Sequence, residues 1–524
     1  MEAEHSMRTF LALLLLLLGT AVPALAQDAP PDNTLVLGRA ADAIYLDPAM
    51  FLDNESAMVI ENIFDGLVRY ADDSTRVEPA LAESWSVSED GLEWTFALRE
   101  GVRFHDGAPF DAHAAAFSLR RKTDPDHPAF REEFQGMDKS LEVVEEVRAL
   151  DDQTLRIRLS RPYAPLLNAL ATHSSYMVSP DAVQRLGKDF AEHPVGTGPF
   201  RFVSWKKGRQ VALERNPDYW GGAPHLHRVV FRVIADPDLR FLALKTGTIH
   251  VMDGPTPEQV PELRKRADLE LHTSASLNVG YLAMNTQRPP FDRPEVRRAV
   301  VHAVNRQALI RLIYRDLALP AKNPLPPAMW GYNDAVEAYA YDSDRSRRLL
   351  EQAGLDGPVE CTLWVMPVSR PYMPSPEQTA MVLKDSLAAV GIRARLVTKP
   401  WADYLAGVYA GEHDLCLLGW IGTGDPSNFL DNLLHGRSAE PPHASNVALY
   451  RNPEVDALLD QAVREPDMGA RTLLYERVQE LVHADAPWLP LAHALSVMAT
   501  RTGVQGVVQH PTGVYRLHTA RINP

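Results

Sequence analysis

Cysteine is nearly missing: two residues in 524, Cys361 and Cys416. That excludes a disulfide framework, which needs many cysteines in a short chain. Both lie in apolar, strand-like runs, so they read either as one bond between neighbouring strands or as two free core thiols. Excess positive charge is missing too. The formal net charge is −15, whereas a nucleic-acid or anionic-membrane partner needs a basic face. Past the N-terminus no stretch reaches the roughly 18 apolar residues of a membrane span. There is no G-x-S-x-G elbow and no H-E-x-x-H, so neither an enzyme nor a resident cofactor is expected. Residues 196–200 (GTGPF) lack the Gly-Lys-Ser/Thr of a phosphate loop, which excludes a nucleotide site there. His225 and His227 have the H-x-H spacing of a metal site, but no acid or cysteine cluster accompanies them, and they read as surface histidines. No Gly/Ser-rich linker and no internal repeat occurs.

The N-terminus is built for export. Arg8 precedes the apolar run FLALLLLLL, and Ala24-Leu25-Ala26 is a small-residue cleavage site before Gln27. This layout reads as a signal peptide over residues 1–26, cut between Ala26 and Gln27. No cysteine follows the cut, so no lipid anchor is expected.

The remaining chain is too long for one core and should form at least two lobes. The apolar spacing at Ile60, Ile63, Phe64 and Leu67 predicts a helix over 59–70. Asp90-Gly91 predicts a hairpin between strands at 84–87 and 94–98, and Asp111 should cap the helix that follows. An opening strand and loop are expected over 34–47, and strands at 154–159, 211–215, 229–235 and 250–252. Helices are expected at 237–247, within 291–317, and at 342–353, 453–464 and 470–484. In the second half, residues 359–430 read as strand, helix, strand, helix, strand. Ser375 with Gln378 makes a capping box, Pro376 fits the first helical turn, and Gly391 and Gly411 end the two helices. In such a β-α-β-α-β unit the loops after Met366 and Trp420 open on one edge, which makes a ligand crevice.

The run P-x-L-A-E-S-W … D-G … F-x-L-R … G-V-x-F-H-D-G, from Pro79 to Gly107, resembles the signature of the peptide- and nickel-type periplasmic solute-binding proteins of ABC importers. HPVGTGPFRF (193–202), NPDYWGGAPHL (216–226), GYLAMNTQRPPFDRPEVRRAV (280–300) and DAPWLPL (485–491) extend the resemblance over the exported chain. It implies an α/β, two-lobed clamshell of the type II periplasmic-binding-protein kind, with mixed sheets. The first lobe would be discontinuous, residues 28–278 plus 496–524, with an extra subdomain. The second would fill 279–495. Crossings are placed near 274–285 and 489–500.

MPVSRPY (366–372) resembles the segment that carries a carboxylate-binding arginine in dipeptide-specific members. The resemblance implies that Arg370 takes a peptide's C-terminal carboxylate, with Tyr372 beside it. A guanidinium suits this because it binds through two parallel hydrogen bonds and stays charged when desolvated. From the residues alone, the favoured reading of Arg370 is a surface arginine paired to a nearby acid, and the match of the segment reverses that preference. Trp401 matches a position that packs on the ligand, and Trp420 reads as pocket wall or core. Gly422, Thr423 and Asp425 form the facing loop. Here the chain departs from the pattern: dipeptide-binding members have an aspartate for the ligand's ammonium where this chain has Thr423. Either Asp425 substitutes, or an acid of the first lobe does, or the ligand has no free α-amine. The side chain of Asn285 reads as a structural tie at a strand end. The expected function is a periplasmic, monomeric receptor that delivers a di- or oligopeptide to ABC permease subunits, without nucleic acid. Haem, nickel-chelate and sugar receptors of the same family stay open as alternatives, and a hydrolase is the rival from another class.

Overall fold

In a computed structural model the structure describes residues 33–50, 53–134, 139–355 and 357–523. The export segment 1–26 lies outside the described residues.

Two large mixed sheets organise the chain. The first has seven strands in the order Leu269–Ser274, Ser496–Arg501, Val251–Asp253, Thr34–Arg39, Arg228–Val233, Gln210–Arg215 and Phe200–Lys206. Its central strand Thr34–Arg39 is buried at every residue and runs parallel to both neighbours. The second has six strands in the order Ala318–Pro320, Trp488–Ala494, Asn278–Met284, Leu415–Ile421, Val359–Val365 and Ile392–Thr398. Each sheet carries helices and its own core, and so forms a lobe. The chain passes between the sheets twice, at residues 275–277 and at Leu495. A separate four-stranded antiparallel sheet, with Ala82–Val87, Glu93–Leu98, Thr154–Leu159 and Val144–Ala149, packs under the helix Ala112–Thr123. Asp111 caps that helix by accepting from the Ala114 N–H at 2.8 Å.

Val359–Val365 is parallel to Ile392–Thr398 on one side and to Leu415–Ile421 on the other. The helices Pro376–Ala388 and Trp401–Tyr409 make the two crossovers. The three strands therefore end at the same edge, as the β-α-β-α-β reading requires. Gly391 and Gly411 follow the two helices with φ of +99° and +71°, a backbone that side-chain-bearing residues rarely adopt.

Three expectations change, and the open alternative for the cysteines closes. The helix expected over 59–70 is Asn54–Ile63, capped by Asp53, which accepts from the Ser56 N–H at 2.7 Å. It stops because the Gly198 N–H bonds the Ile63 carbonyl at 2.9 Å and Phe64 turns extended. Val68–Tyr70 then pairs as a strand with Val77–Pro79. Within 291–317 the apolar stripe Val300, Val304, Leu309 and Ile313 is buried, yet the helix breaks into Pro294–His302 and Arg306–Leu309. Asn305 caps the second piece, accepting from the Ala308 N–H at 3.0 Å. Ser375 stands at its helix start without a side-chain cap bond; Thr379 Oγ1 donates to the Ser375 carbonyl at 2.9 Å instead. The cysteines are free and buried. Register puts Cys416 opposite Trp364, three residues along from Cys361. At about 3.3 Å per residue that separation is about 10 Å, beyond the Cα spacing a disulfide can span. Burial pushes the Cys361 thiol up to about 12 and the Cys416 thiol up as well.

Candidate functional site

Three loops leave the common edge of the parallel strands. The first holds Arg370 in a tight turn: its N–H bonds the Met373 carbonyl at 3.1 Å, and the Met373 N–H returns to the Arg370 carbonyl at 2.8 Å. The Arg370 side chain is exposed. Its guanidinium carbon lies 5.3 Å from the centre of the Trp401 ring. Among the described residues no carboxylate pairs with it, although this protein has 68 acids. An arginine so placed has its guanidinium donors open to solvent, and chemically it can pair with an anion.

Trp401 opens the second loop's helix directly after Pro400. Its ring stacks on Tyr404 at 5.7 Å between centres and 12° between planes. Tyr404 is buried and donates its hydroxyl to the Leu417 carbonyl at 2.5 Å, which fixes the stack on the neighbouring strand. Tyr372 is buried behind Arg370. Its ring lies so close to Gly419 that a Cβ there would sit 2.2 Å from it, and its carbonyl would be 2.4 Å from a Cβ on Gly280. The Tyr314 hydroxyl donates to that carbonyl at 2.7 Å. Burial pushes the Tyr372 phenol up to about 12, so it stays a neutral donor.

The third loop is held by its own side chains. Asn428 Oδ1 accepts from Trp420 Nε1 at 2.9 Å and from the Thr423 N–H at 3.1 Å. Trp420 is thus half-buried and tied down. The Gly422 N–H bonds the Leu277 carbonyl at 3.0 Å, and a Cβ on Gly422 would meet the Phe429 ring at 2.1 Å. Thr423 is exposed. Asp425 is buried and turned inward, where its Oδ1 accepts from Arg471 Nη2 and from the Ser427 N–H, both at 2.9 Å. Arg471 is itself buried between Trp330 and Tyr475, at 5.0 and 5.3 Å. Burial works against its charge, but Asp425 and Tyr475 outweigh that and hold the guanidinium above its ordinary value.

The first lobe closes over this loop. Asn168 Nδ2 donates to the Gly424 carbonyl at 2.9 Å, and Tyr70 packs against Gly424. Sequence reasoning missed Tyr70, Asn168, Trp330 and Arg471. They come from four distant segments, and no local pattern marks them. Asn285 is buried and donates to the carbonyls of Gly411 and His413, both at 3.1 Å, which is the structural tie expected of it. Residues 196–200 pack on the end of the helix Asn54–Ile63, with Thr197 donating to Asp65 at 2.7 Å. His225 and His227 are exposed. Among the described residues no three His, Cys, Asp or Glu side chains are placed to hold a metal.

The model of the bacterial extracellular solute-binding proteins, family 5, matches residues 76–441. The chain belongs to that family. Among family relatives it is similar to haem-binding protein A of Haemophilus influenzae, 35% identical over 92% of this chain and 91% of that one. It is likewise similar to the dipeptide-binding protein of Escherichia coli, 34% identical over 88% of this chain and 89% of that one. Among solved family structures it matches the periplasmic binding protein DppA of Helicobacter pylori in complex with the peptide STSA. That match has a TM-score of 0.70 and 35% identity, and covers 94% of this chain and 98% of the other. The two-lobed α/β fold is that of this solute-binding family. The candidate site lies where its second lobe's crevice meets the first.

Proposed function

We propose that the chain is the extracytoplasmic substrate-binding component of an ABC importer, which captures a di- or oligopeptide between its lobes. The observation that carries this reading is the unpaired guanidinium of Arg370 lying on Trp401 at the crevice edge. A peptide's terminal carboxylate would take two parallel hydrogen bonds from it. Tyr372, Trp401 and Trp420 would wall the ligand, and residues 422–425 would face its other end. Main-chain hydrogen bonds, which every peptide offers, would supply affinity without tight side-chain selection. The names of two of the three relatives, one a dipeptide-binding protein and one solved with a peptide, support this choice.

The reading includes the lobes 28–278 plus 496–524 and 279–495, and export to the periplasm by cleavage between Ala26 and Gln27. It also includes action as a monomer that hands ligand to membrane permease subunits without chemical conversion. A haem has propionate carboxylates, and Arg370 would take those by the same chemistry. The name of the Haemophilus influenzae relative supports testing that ligand beside peptides.

Isothermal titration with a dipeptide such as Ala-Leu tests the assignment. Arg370→Ala is expected to weaken binding by about 100-fold or more, as loss of a charge-assisted bidentate contact does. Its melting temperature should stay close to the wild-type value, because the side chain is exposed, its contact with the Trp401 ring is worth only about 0.5–1 kcal/mol, and among the described residues no carboxylate pairs with it. Equal affinity in the variant would refute the carboxylate role. Native mass spectrometry and the visible spectrum of the purified protein separate the ligands: a co-purified peptide mass supports the reading, and a Soret band replaces it with haem.

A further inference from the structure

The loop that faces the proposed ligand is gripped by a side chain of the other lobe. Asn168 sits in the short helix Leu166–Leu170 and is buried. Its Nδ2 donates to the Gly424 carbonyl, 256 residues away, at 2.9 Å. Trp330 Nε1 donates to the same carbonyl at 3.1 Å. Both lone pairs of that oxygen are therefore used, one from each lobe. Tyr70 completes the grip. Its hydroxyl donates to the Asn168 carbonyl at 3.0 Å, and its ring would lie 2.3 Å from a Cβ on Gly424. Only glycine allows so close an approach. Around this point the lobes share further backbone bonds: the Thr75 N–H to the Ala328 carbonyl at 3.3 Å, and the Ala164 N–H to the Val463 carbonyl at 2.8 Å.

On its own lobe the loop is rigid, tied by Asn428 and by the Asp425–Arg471 pair. It would travel with the second lobe when the lobes part, and the Asn168 bond would then be exchanged for water. We infer that Asn168 is a positioning residue for capture: its amide latches the ligand loop to the first lobe and sets how long a bound ligand stays. This rests on reading residues 422–425 as the ligand loop. The latch touches no ligand, so it adds to closure the same amount for every ligand that bridges the lobes. Apparent affinity scales with the closed fraction it supports.

Stopped-flow fluorescence with Ala-Leu tests this, using Asn168→Ala and the near-isosteric Asn168→Leu, which fills the same space, stays neutral and has no N–H to donate. Release should speed about 5- to 20-fold in both, the worth of one neutral buried hydrogen bond. Association should stay within about 2-fold, since encounter occurs in the open form. A residue that merely filled space would leave Asn168→Leu near the wild-type rate. Small-angle scattering of the ligand-free proteins is the second readout, because the bond joins protein groups alone. A larger radius of gyration in Asn168→Ala supports the latch even if Ala-Leu does not bind, in which case only the peptide reading falls. An unchanged radius together with an unchanged release rate, or with no Ala-Leu binding, overturns the latch.

Discussion

At Asp425 a carboxylate inside a ligand loop is already committed. Its partner Arg471 is as buried as it is, at 4% and 6% side-chain exposure for the arginine and the aspartate. A pair taken out of water gains little net stability, because desolvation offsets the attraction. Removing one member is different, since the survivor keeps its desolvation cost without its partner. Asp425→Ala is therefore expected to destabilise the protein by about 3–5 kcal/mol in urea unfolding. The double variant Asp425→Ala/Arg471→Met should recover much of that loss. If the single variant unfolds at the wild-type urea concentration, the pair is not holding the loop. Asp425 is accordingly poorly placed to serve as the ligand's ammonium anchor, and the sequence contained no hint of this. Arg471 lies 46 residues further on, in the helix Met468–Asp485, whose pattern does not set that arginine apart from its neighbours. Arg370 was singled out for the opposite reason: the family resemblance that marks it lies in one contiguous run, residues 366–372.

The strands and helices of the second lobe were legible because each obeys a local rule. Val359–Val365 and Leu415–Ile421 are apolar runs, the helices between them end at glycines, and parallel pairing follows from the crossovers. Elements were misread where a distant segment decided the outcome. The helix Asn54–Ile63 had apolar residues spaced to continue through Leu67, but residues 196–198 stop it. Gly419 shows the same dependence within the site. In sequence it is a small residue in an apolar strand. In the structure it is the seat of the Tyr372 ring, and the Val279 carbonyl closes the other side at 2.5 Å from a Cβ placed there. Neither neighbour can yield without moving the Arg370 turn or the strand pairing. Gly419→Ala should cost about 1–3 kcal/mol of stability, as overpacking does. It should also weaken Ala-Leu binding, whereas an added methyl on an open surface would do neither. A variant with wild-type urea midpoint and wild-type affinity would show that Tyr372 is not locked in place.

Across the whole molecule, three buried histidines tie the segments on which the lobes depend. His493 lies two residues before the second passage between sheets, and its Nδ1 pairs with the Asn278 carbonyl beside the first passage at 2.8 Å. Asn278 and Ala494 exchange two further bonds at 2.9 Å each. His510 bonds the carbonyls of Ala71 and Ser74 through Nε2 and stacks on Tyr70, the residue that grips Gly424. His413 bonds the Val447 carbonyl at 3.0 Å. Burial lowers each of the three to about 4, with Arg516 adding to the effect at His510 and Arg288 at His413. At His510 a second proton would also point Nδ1–H at the Thr512 N–H, which already donates to that nitrogen. In the unfolded chain these rings take up protons as pH falls through about 6.5, while in the folded protein they resist until about 4. The unfolded state binds more protons throughout that window, so stability must fall as pH drops from 6.5 to 4. The slope is up to about 1.4 kcal/mol per pH unit for each histidine. Melting temperature should be flat above pH 7, decline steeply below 6.5, and decline less steeply in His493→Gln if that variant folds as the wild type does. A melting temperature constant from pH 7 to pH 5 would mean that these rings accept protons in place. The ties between the two passages would then be looser than their geometry implies.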